Sequence, residues 1–148
     1  MVFITYEDDL FDIVLPKLIE LHNIENPEIQ RKKKINNLEI DVFIKWRPER
    51  GPSRTLIAEL KVRDIPKLIE QLLARRGLAT WVYGVTSVPP REWIRYTLDN
   101  PEHVRRLLDA GIGVIALERD ETPVVILESR ARPRKHLDLL TLREEVRR

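Results

Sequence analysis

The chain has 148 residues, of which 43% are hydrophobic, and its formal net charge at pH 7 is +2. This length and composition predict one globular domain with a single core, and the small net charge does not by itself identify a nucleic-acid-binding protein. The absence of cysteine excludes disulfides, thiolate zinc sites and thiol nucleophiles.

The first nine residues are acidic and contain no long apolar run, so they lack the pattern of a secretory signal. No apolar stretch approaches the roughly 20 residues that a membrane-spanning helix needs. We therefore expect a cytoplasmic protein that does not bind membranes. A charged fraction of 34%, 10 prolines and glutamine only at positions 30 and 71 are typical of thermophilic proteins.

The first half of the chain predicts one helix followed by three strands. Apolar residues at helical spacing indicate a helix over residues 8–22, with a kink or a later start because Pro16 lies inside it. Residues 28–35 form a predicted strand. Residues 39–46 and 54–62 predict an antiparallel strand pair, because a linker rich in turn-forming residues separates them.

The second half alternates helices with strands. Asp64 is expected to cap a second helix that ends before Gly77. The remaining predicted elements are, in order, a strand (78–85), a short helix (91–98), a helix (101–110), strands (112–117 and 124–127) and a helix (137–146). This order predicts an α/β fold with a central mixed β-sheet and helices on both faces.

Three charged residues occupy the middle of the predicted strand pair. Asp41 lies in an otherwise apolar segment, and Glu59 and Lys61 lie on the next strand. Because side chains alternate along a strand, Glu59 and Lys61 share a face with Ile57. Pairing that brings Asp41 beside Glu59 makes the two carboxylates and the amine converge. Because burying such charges is costly, they indicate an active site rather than a solvated surface.

Two adjacent carboxylates and a backbone carbonyl, here that of Leu60, form an oxygen-rich site that suits Mg²⁺ or Mn²⁺. Such a cation polarises a phosphoryl oxygen and lowers the pKa of a bound water. Lys61 can orient that water or stabilise developing negative charge. These groups suit the hydrolysis of a phosphodiester bond.

This pattern resembles the PD-(D/E)XK nuclease superfamily, which includes restriction endonucleases, archaeal Holliday-junction resolvases and repair nucleases. The shared features are Ile40-Asp41, a turn, Glu59-Leu60-Lys61 on the next strand and a following helix. Ile40 stands where the family often has proline. The resemblance implies a restriction-endonuclease-like fold, with metal ligands at Asp41, Glu59 and the Leu60 carbonyl. It gives Lys61 the role of positioning the water.

The resemblance also implies two supporting residues. Many members add a metal-binding glutamate from the first helix, for which Glu7 is the better candidate and Glu20 the alternative. Some carry a glutamine on the helix after the motif, and Gln71 occupies a similar place. A glutamate and a lysine two apart on a strand are also common on the solvent face of an edge hairpin, where both would be surface charges.

Basic residues gather near loops and element ends, where they would form a phosphate-binding surface; scattered solubilising charge is the alternative. Two of these groups are residues 31–34 and residues 130–135. The residues expected to bind nucleic acid are Lys45, Arg47, Arg50, Arg54, Gln71, Arg75 and Arg76. Trp46 is expected in the core, with base stacking or packing at a dimer interface as the alternatives.

One site in so small a chain cuts two DNA strands only as a symmetric homodimer. The predicted carboxy-terminal helix follows a basic linker, together residues 130–148, and its apolar face is a candidate interface. The first hypothesis is a Mg²⁺- or Mn²⁺-dependent DNA endonuclease. The second is a catalytically inactive protein of the same fold that binds nucleic acid or serves as an assembly module. The third is an unrelated α/β interaction domain.

Overall fold

The computed structural model describes residues 6–131. The predicted helix at residues 137–146 and most of the basic linker lie outside this range. The elements within it are α1 Glu7–His22, β1 Glu28–Ile35, β2 Leu38–Trp46, β3 Arg54–Lys61, α2 Ile65–Arg75, β4 Trp81–Thr86, α3 Pro90–Asp99, α4 Pro101–Ala110, β5 Gly113–Leu117 and β6 Pro123–Leu127. No helix in residues 6–131 has both the length and the apolarity needed to cross a membrane.

The six strands form one mixed sheet in which neighbours along the chain are also neighbours in space. β1, β2 and β3 run antiparallel, β3, β4 and β5 run parallel, and β6 is antiparallel to β5. The parallel pairs β3–β4 and β4–β5 are each connected through helices, because a short turn cannot join two neighbouring strands that run in the same direction. The predicted α/β class with a central mixed sheet is confirmed.

Apolar side chains form one core layer on each face of the sheet. α1 packs in the first layer, against residues of β2 and β3 that include Val42 and Ala58. α2, α3 and α4 pack in the second layer, which contains Ile57. The alternation predicted for β3 is therefore present, and Ile57 points away from α1 and towards α2. Helices cover both faces, as the sequence predicts.

Local sequence signals explain most element ends. The Asp64 side chain accepts a hydrogen bond from the Lys67 backbone N–H at 3.0 Å, as expected for the cap of α2. α1 continues through the exposed Pro16 instead of beginning after it. β4 begins at Trp81 rather than at residue 78, because Thr55 and Thr80 exchange side-chain-to-backbone hydrogen bonds of 3.1 and 3.2 Å just before the ladder starts.

Gly84→Ala tests how tightly α2 is seated on the sheet. Gly84 of β4 lies opposite Glu59 of β3. A β-carbon there would lie 2.5 Å from Leu72 Cδ1 and 3.0 Å from Leu68 Cδ2. We expect overpacking to lower the free energy of unfolding by about 1–3 kcal/mol in urea denaturation. Ser53→Ala in the exposed hairpin loop is the control, and equal stability of the two variants would contradict the close packing of α2.

Candidate functional site

Asp41 and Glu59 meet where the β2–β3 hairpin opens. The ladder runs from the Trp46–Arg54 pair to the Val42–Ala58 pair and stops there. Asp41 and Glu59 are the next residues on the two strands, and their carboxyl groups lie within hydrogen-bonding reach of each other. Asp41 Oδ2 also accepts a hydrogen bond from the Leu60 backbone N–H at 2.9 Å. The structure thus brings together the two carboxylates singled out in the sequence.

The backbone around Asp41 is irregular on both sides. On β1, Arg31 pairs with Val42 and Lys33 pairs with Ile40, but Lys32, which faces Asp41, is skipped. Lys32 has a φ of 55°, in the left-handed region that a lysine rarely adopts. Ile40 packs in the α2 layer and Val42 in the α1 layer, although a regular strand would place both on one face. Irregular backbone of this kind clusters at functional sites.

Arg31 replaces one of the hydrogen bonds that this irregularity removes. Its Nε donates to the Asp41 carbonyl oxygen at 3.1 Å. Its guanidinium also lies 4.1 Å from the centre of the Phe11 ring and donates to Asp8 at 2.8 Å. Arg31 therefore ties α1 and β1 to the backbone of Asp41 and fixes the position of that residue.

The Glu59 carboxyl is buried, with 1% of the residue exposed. Burial raises the pKa of Glu59 to about 8, the hydrogen bond and negative charge of Asp41 contribute to the increase, and the Arg75 guanidinium acts in the opposite direction. Glu59 therefore holds a proton at neutral pH when no further positive charge is present. Two neighbouring carboxyl groups raise the pKa of one of them, because placing two negative charges side by side is energetically unfavourable.

Arg75, at the end of α2, is the main partner of Glu59. Its Nε forms an ion pair with Glu59 Oε1. Nη2 donates to the Glu39 carbonyl at 3.0 Å and Nη1 donates to the Gln71 carbonyl at 2.9 Å. Only 8% of Arg75 is exposed, so it does not lie on the phosphate-binding surface expected from the sequence.

A sequence signal for the burial of Arg75 exists. Leu68, Leu72 and Arg75 are spaced four and three residues apart, which places them on one stripe of a helix. Both leucines are fully buried against the sheet, and Arg75 continues their stripe towards Glu59. Its neighbour Arg76 lies one position off that stripe and is exposed.

Lys61 and Glu7 lie around the carboxylate pair. Partial burial raises the pKa of Glu7, the negative charge of Asp41 adds to the increase, and Lys61 and Lys32 oppose it. These charges are therefore close enough to act on one another. Among the described residues, however, no three acidic or histidine side chains form one metal-binding group, so Glu7 is not joined to Asp41 and Glu59 in a single ligand set.

Two further sequence-predicted residues have distinct positions. Glu20, the alternative to Glu7, is exposed and lies near the carboxy-terminal end of α1, two residues before His22. Gln71 is half-buried, and its Oε1 atom is buried without a hydrogen-bond partner among the described residues. A buried acceptor of this kind requires a donor or a cation to satisfy it.

The basic residues of the hairpin lie far from the carboxylates. Lys45 is four residues from Asp41 along β2, which corresponds to about 13 Å in an extended strand. Arg47, Arg50 and Arg54 follow at or beyond the end of the ladder, at the opposite end of the hairpin from Asp41 and Glu59. A phosphate held by this loop is therefore separated from the carboxylate pair by much of the length of β2.

An aromatic cluster packs at the loop end of the β2–β3 hairpin. The rings of Trp46 and Trp81 stack with centroids 5.6 Å apart, and the His22 ring lies 4.5 Å from that of Trp81. His22 Nε2 is 2.9 Å from the Tyr83 hydroxyl oxygen. Trp46 is buried, as the sequence predicts, and its ring is not available for base stacking.

The donor chemistry of the pair fits a divalent cation. Mg²⁺ and related hard cations prefer oxygen ligands and often bind through one or two carboxylates together with waters. Burial and the neighbouring Asp41 raise the pKa of Glu59 despite the Arg75 guanidinium, so a further positive charge would favour the carboxylate form. The carboxylates of Asp41 and Glu59 would hold such a cation once Glu59 has lost its proton, although Arg75 already engages one oxygen of Glu59.

No protein-family model and no curated protein matches the chain. Among solved structures, the chain is similar to SfsA from Pyrococcus furiosus in complex with Ca²⁺, with a TM-score of 0.38 and 17% sequence identity. The alignment covers 85% of this chain and 62% of the SfsA chain. The chain therefore spans less than two thirds of the length of SfsA, and a similarity at this level carries no argument about function.

The raised pKa of Glu59 predicts a pH-dependent stability. In the folded protein Glu59 keeps its proton up to about pH 8, whereas its ordinary pKa is 4.5. This stabilising contribution is complete below pH 4.5 and is lost as the pH rises through 8. We expect the free energy of unfolding, measured in urea with a chelator present, to fall over this interval.

Glu59→Gln should flatten this dependence, because the amide cannot ionise and mimics the protonated carboxyl. Glu70→Gln, which alters an exposed glutamate of α2, is the matched control and should follow the wild type. Parallel curves for wild type and Glu59→Gln would contradict the assignment of the titration to Glu59.

Proposed function

We propose that this protein is a divalent-cation-dependent nuclease of the PD-(D/E)XK type that hydrolyses phosphodiester bonds of DNA. The observation that carries the proposal is the contact between the carboxyl groups of Asp41 and Glu59 where β2 and β3 separate. Holding two carboxyl groups together is costly, and such an arrangement is typical of sites that bind a cation or manage a proton. Lys61, two residues beyond Glu59 on the same face of β3, supplies the amine that such hydrolysis uses.

Asp41, Glu59 and the Leu60 carbonyl would hold Mg²⁺ or Mn²⁺. In an antiparallel ladder, a residue directs its N–H and its C=O to the same side. The Leu60 N–H binds Asp41, and the β2–β3 ladder ends before Leu60, so its carbonyl is not used by that ladder. When bound, the cation would polarise a phosphoryl oxygen and acidify a water.

The side chains of this chain have separate roles in the proposed reaction. Glu59 releases its proton so that its carboxylate can serve as a ligand. Lys61 orients the attacking water and stabilises the negative charge that develops on the phosphate. Glu7, whose charge interacts with those of Asp41 and Lys61, would fix a water at the edge of the site. Arg75 holds Glu59 in place from the side of α2.

Cutting both strands of a duplex would use two copies of the chain, so we propose a homodimer. The sequence-predicted interface is the apolar face of residues 137–146, outside the described range.

The second candidate function is nucleic-acid binding without hydrolysis. The buried guanidinium of Arg75 favours it, because this group already compensates Glu59 and competes with a cation for Oε1. A protein that keeps the fold and the carboxylates but binds no cation would serve as a binding or assembly module.

Cleavage assays test the catalytic proposal. We expect the wild type to cut plasmid, flap or junction DNA in Mg²⁺ or Mn²⁺ and to lose activity in chelator. Glu59→Gln and Lys61→Ala should each lower the rate at least about 100-fold, because each removes a group that acts on the transition state. Glu70→Gln and Lys67→Ala, at exposed positions of α2, are matched controls. Absence of cleavage, or equal cleavage by all variants, would refute catalysis.

Cation binding separates the two candidates without an activity assay. Because a proton and a divalent cation compete for Glu59, Mn²⁺ should raise the melting temperature more at about pH 8.5 than at about pH 6.5. Glu59→Gln should abolish most of this increase, and Glu70→Gln should retain it. A wild-type melting temperature that does not respond to Mn²⁺ at either pH would favour the binding module.

A further inference from the structure

Basic residues on β1 also lie beside the Asp41 segment of β2, much nearer to it than the basic residues of the hairpin loop. Residues 31–34 are Arg-Lys-Lys-Lys, and β1 is the edge strand that pairs with the Asp41 segment of β2. Because the hairpin loop lies at the far end of β2, its cations are poorly placed to hold the phosphate that reacts. The cations of β1 lie beside the reacting position.

Two of these four side chains are already engaged on the protein. Arg31 contacts Asp8, the Phe11 ring and the Asp41 carbonyl. Lys33 donates to the Gln30 side chain at 2.8 Å, and its amine lies 5.1 Å from the centre of the Phe43 ring. Both residues therefore serve the packing of the strand, which leaves Lys32 and Lys34 as its exposed cations.

Lys32 differs from Lys34 in two respects. Its backbone is left-handed, with a φ of 55°, and it is skipped in the ladder opposite Asp41, whereas Lys34 pairs regularly with Glu39. A left-handed lysine in a strand carries a conformational cost. Its charge also reaches Glu7 at the edge of the site. The exposed Lys32 thus lies opposite Asp41 in the strand register, with its charge close enough to act on Glu7.

We propose that Lys32 binds the nucleic-acid backbone phosphate adjacent to the Asp41–Glu59 pair, on the side of the site opposite Lys61. Lys61 lies on β3 and Lys32 on β1, which are the two strands on either side of the Asp41 segment of β2. The ammonium group of lysine is a compact charge that binds phosphate without a fixed geometry. This inference rests on the proposed function, since it supplies the substrate contact of the same site.

Two alternative roles for Lys32 predict different results. Lysines on an edge strand prevent unwanted pairing with strands of neighbouring molecules, in which case Lys32 and Lys34 would be equivalent. A lysine that only offsets the charge of Glu7 and Asp41 would affect cation binding and not DNA affinity.

DNA binding in chelator tests the inference independently of cleavage. The probe is a fluorescent duplex, titrated by anisotropy at KCl concentrations from about 50 to about 200 mM. Lys32→Asn removes the charge with a residue that tolerates the left-handed backbone, and Lys32→Arg keeps the charge. We expect Lys32→Asn to weaken binding about fivefold and to reduce the salt slope by about 1. Lys32→Arg should keep the affinity and the salt slope of the wild type.

Lys34→Asn is the matched control, because it removes the same charge two residues along the same exposed edge. It should change the affinity and the salt slope less than Lys32→Asn. In Mg²⁺, Lys32→Asn should raise KM by a larger factor than it lowers kcat, as expected for a residue that positions the substrate.

The outcomes separate the inference from the proposed function. If wild type cleaves DNA but Lys32→Asn and Lys34→Asn weaken binding equally, Lys32 has no special role and the nuclease proposal stands. If Lys32→Asn alters the Mn²⁺-induced rise in melting temperature and leaves the salt slope unchanged, Lys32 only offsets the acidic groups and the inference is overturned. If wild type binds no DNA in chelator even at low salt but cleaves DNA in Mg²⁺, the inference is overturned and the nuclease proposal stands.

Discussion

The Arg75 guanidinium joins three elements of the structure around one buried carboxyl group. It donates to the Glu39 carbonyl of β2 and to the Gln71 carbonyl of α2, and it pairs with Glu59 of β3. A buried ion pair gains little over an apolar contact, but leaving one of its charges alone in the interior is strongly destabilising. The buried Glu59 therefore depends on Arg75, which also adds polar contacts to the apolar packing of α2 on the sheet.

The two carboxyl groups lie where the regular β2–β3 pairing ends. Asp41 and Glu59 come directly after the last ladder pair, Val42–Ala58. The ladder ends, the Asp41 side chain accepts a hydrogen bond from the Leu60 N–H, and Arg31 donates to the Asp41 carbonyl. The regular pairing can therefore end here without leaving these backbone groups unsatisfied.

The sequence predicts the parts of the fold that depend on local patterns. The alternation of Ile57, Ala58 and Glu59 along β3 predicts which face of the sheet each side chain lies on. Asp64 predicts where α2 begins. The position of Arg75 depends on the angle at which α2 crosses the sheet, which no local pattern contains, although its spacing from Leu72 indicates burial. The left-handed backbone of Lys32 also escapes prediction, because lysine is not among the residue types that commonly adopt a positive φ.

The charges at the site explain why fold and catalysis can separate. Asp41 and a deprotonated Glu59 carry two negative charges, and Arg75 compensates one of them permanently, because backbone carbonyls fix its two Nη atoms. A divalent cation must therefore bind a pair that is already half neutralised, in competition with the proton that burial favours on Glu59. The same guanidinium keeps the pair folded whether or not a cation binds. Under the proposed function, the competition between proton and cation at Glu59, rather than the presence of the carboxylates, would thus distinguish a nuclease from a binding module of the same fold.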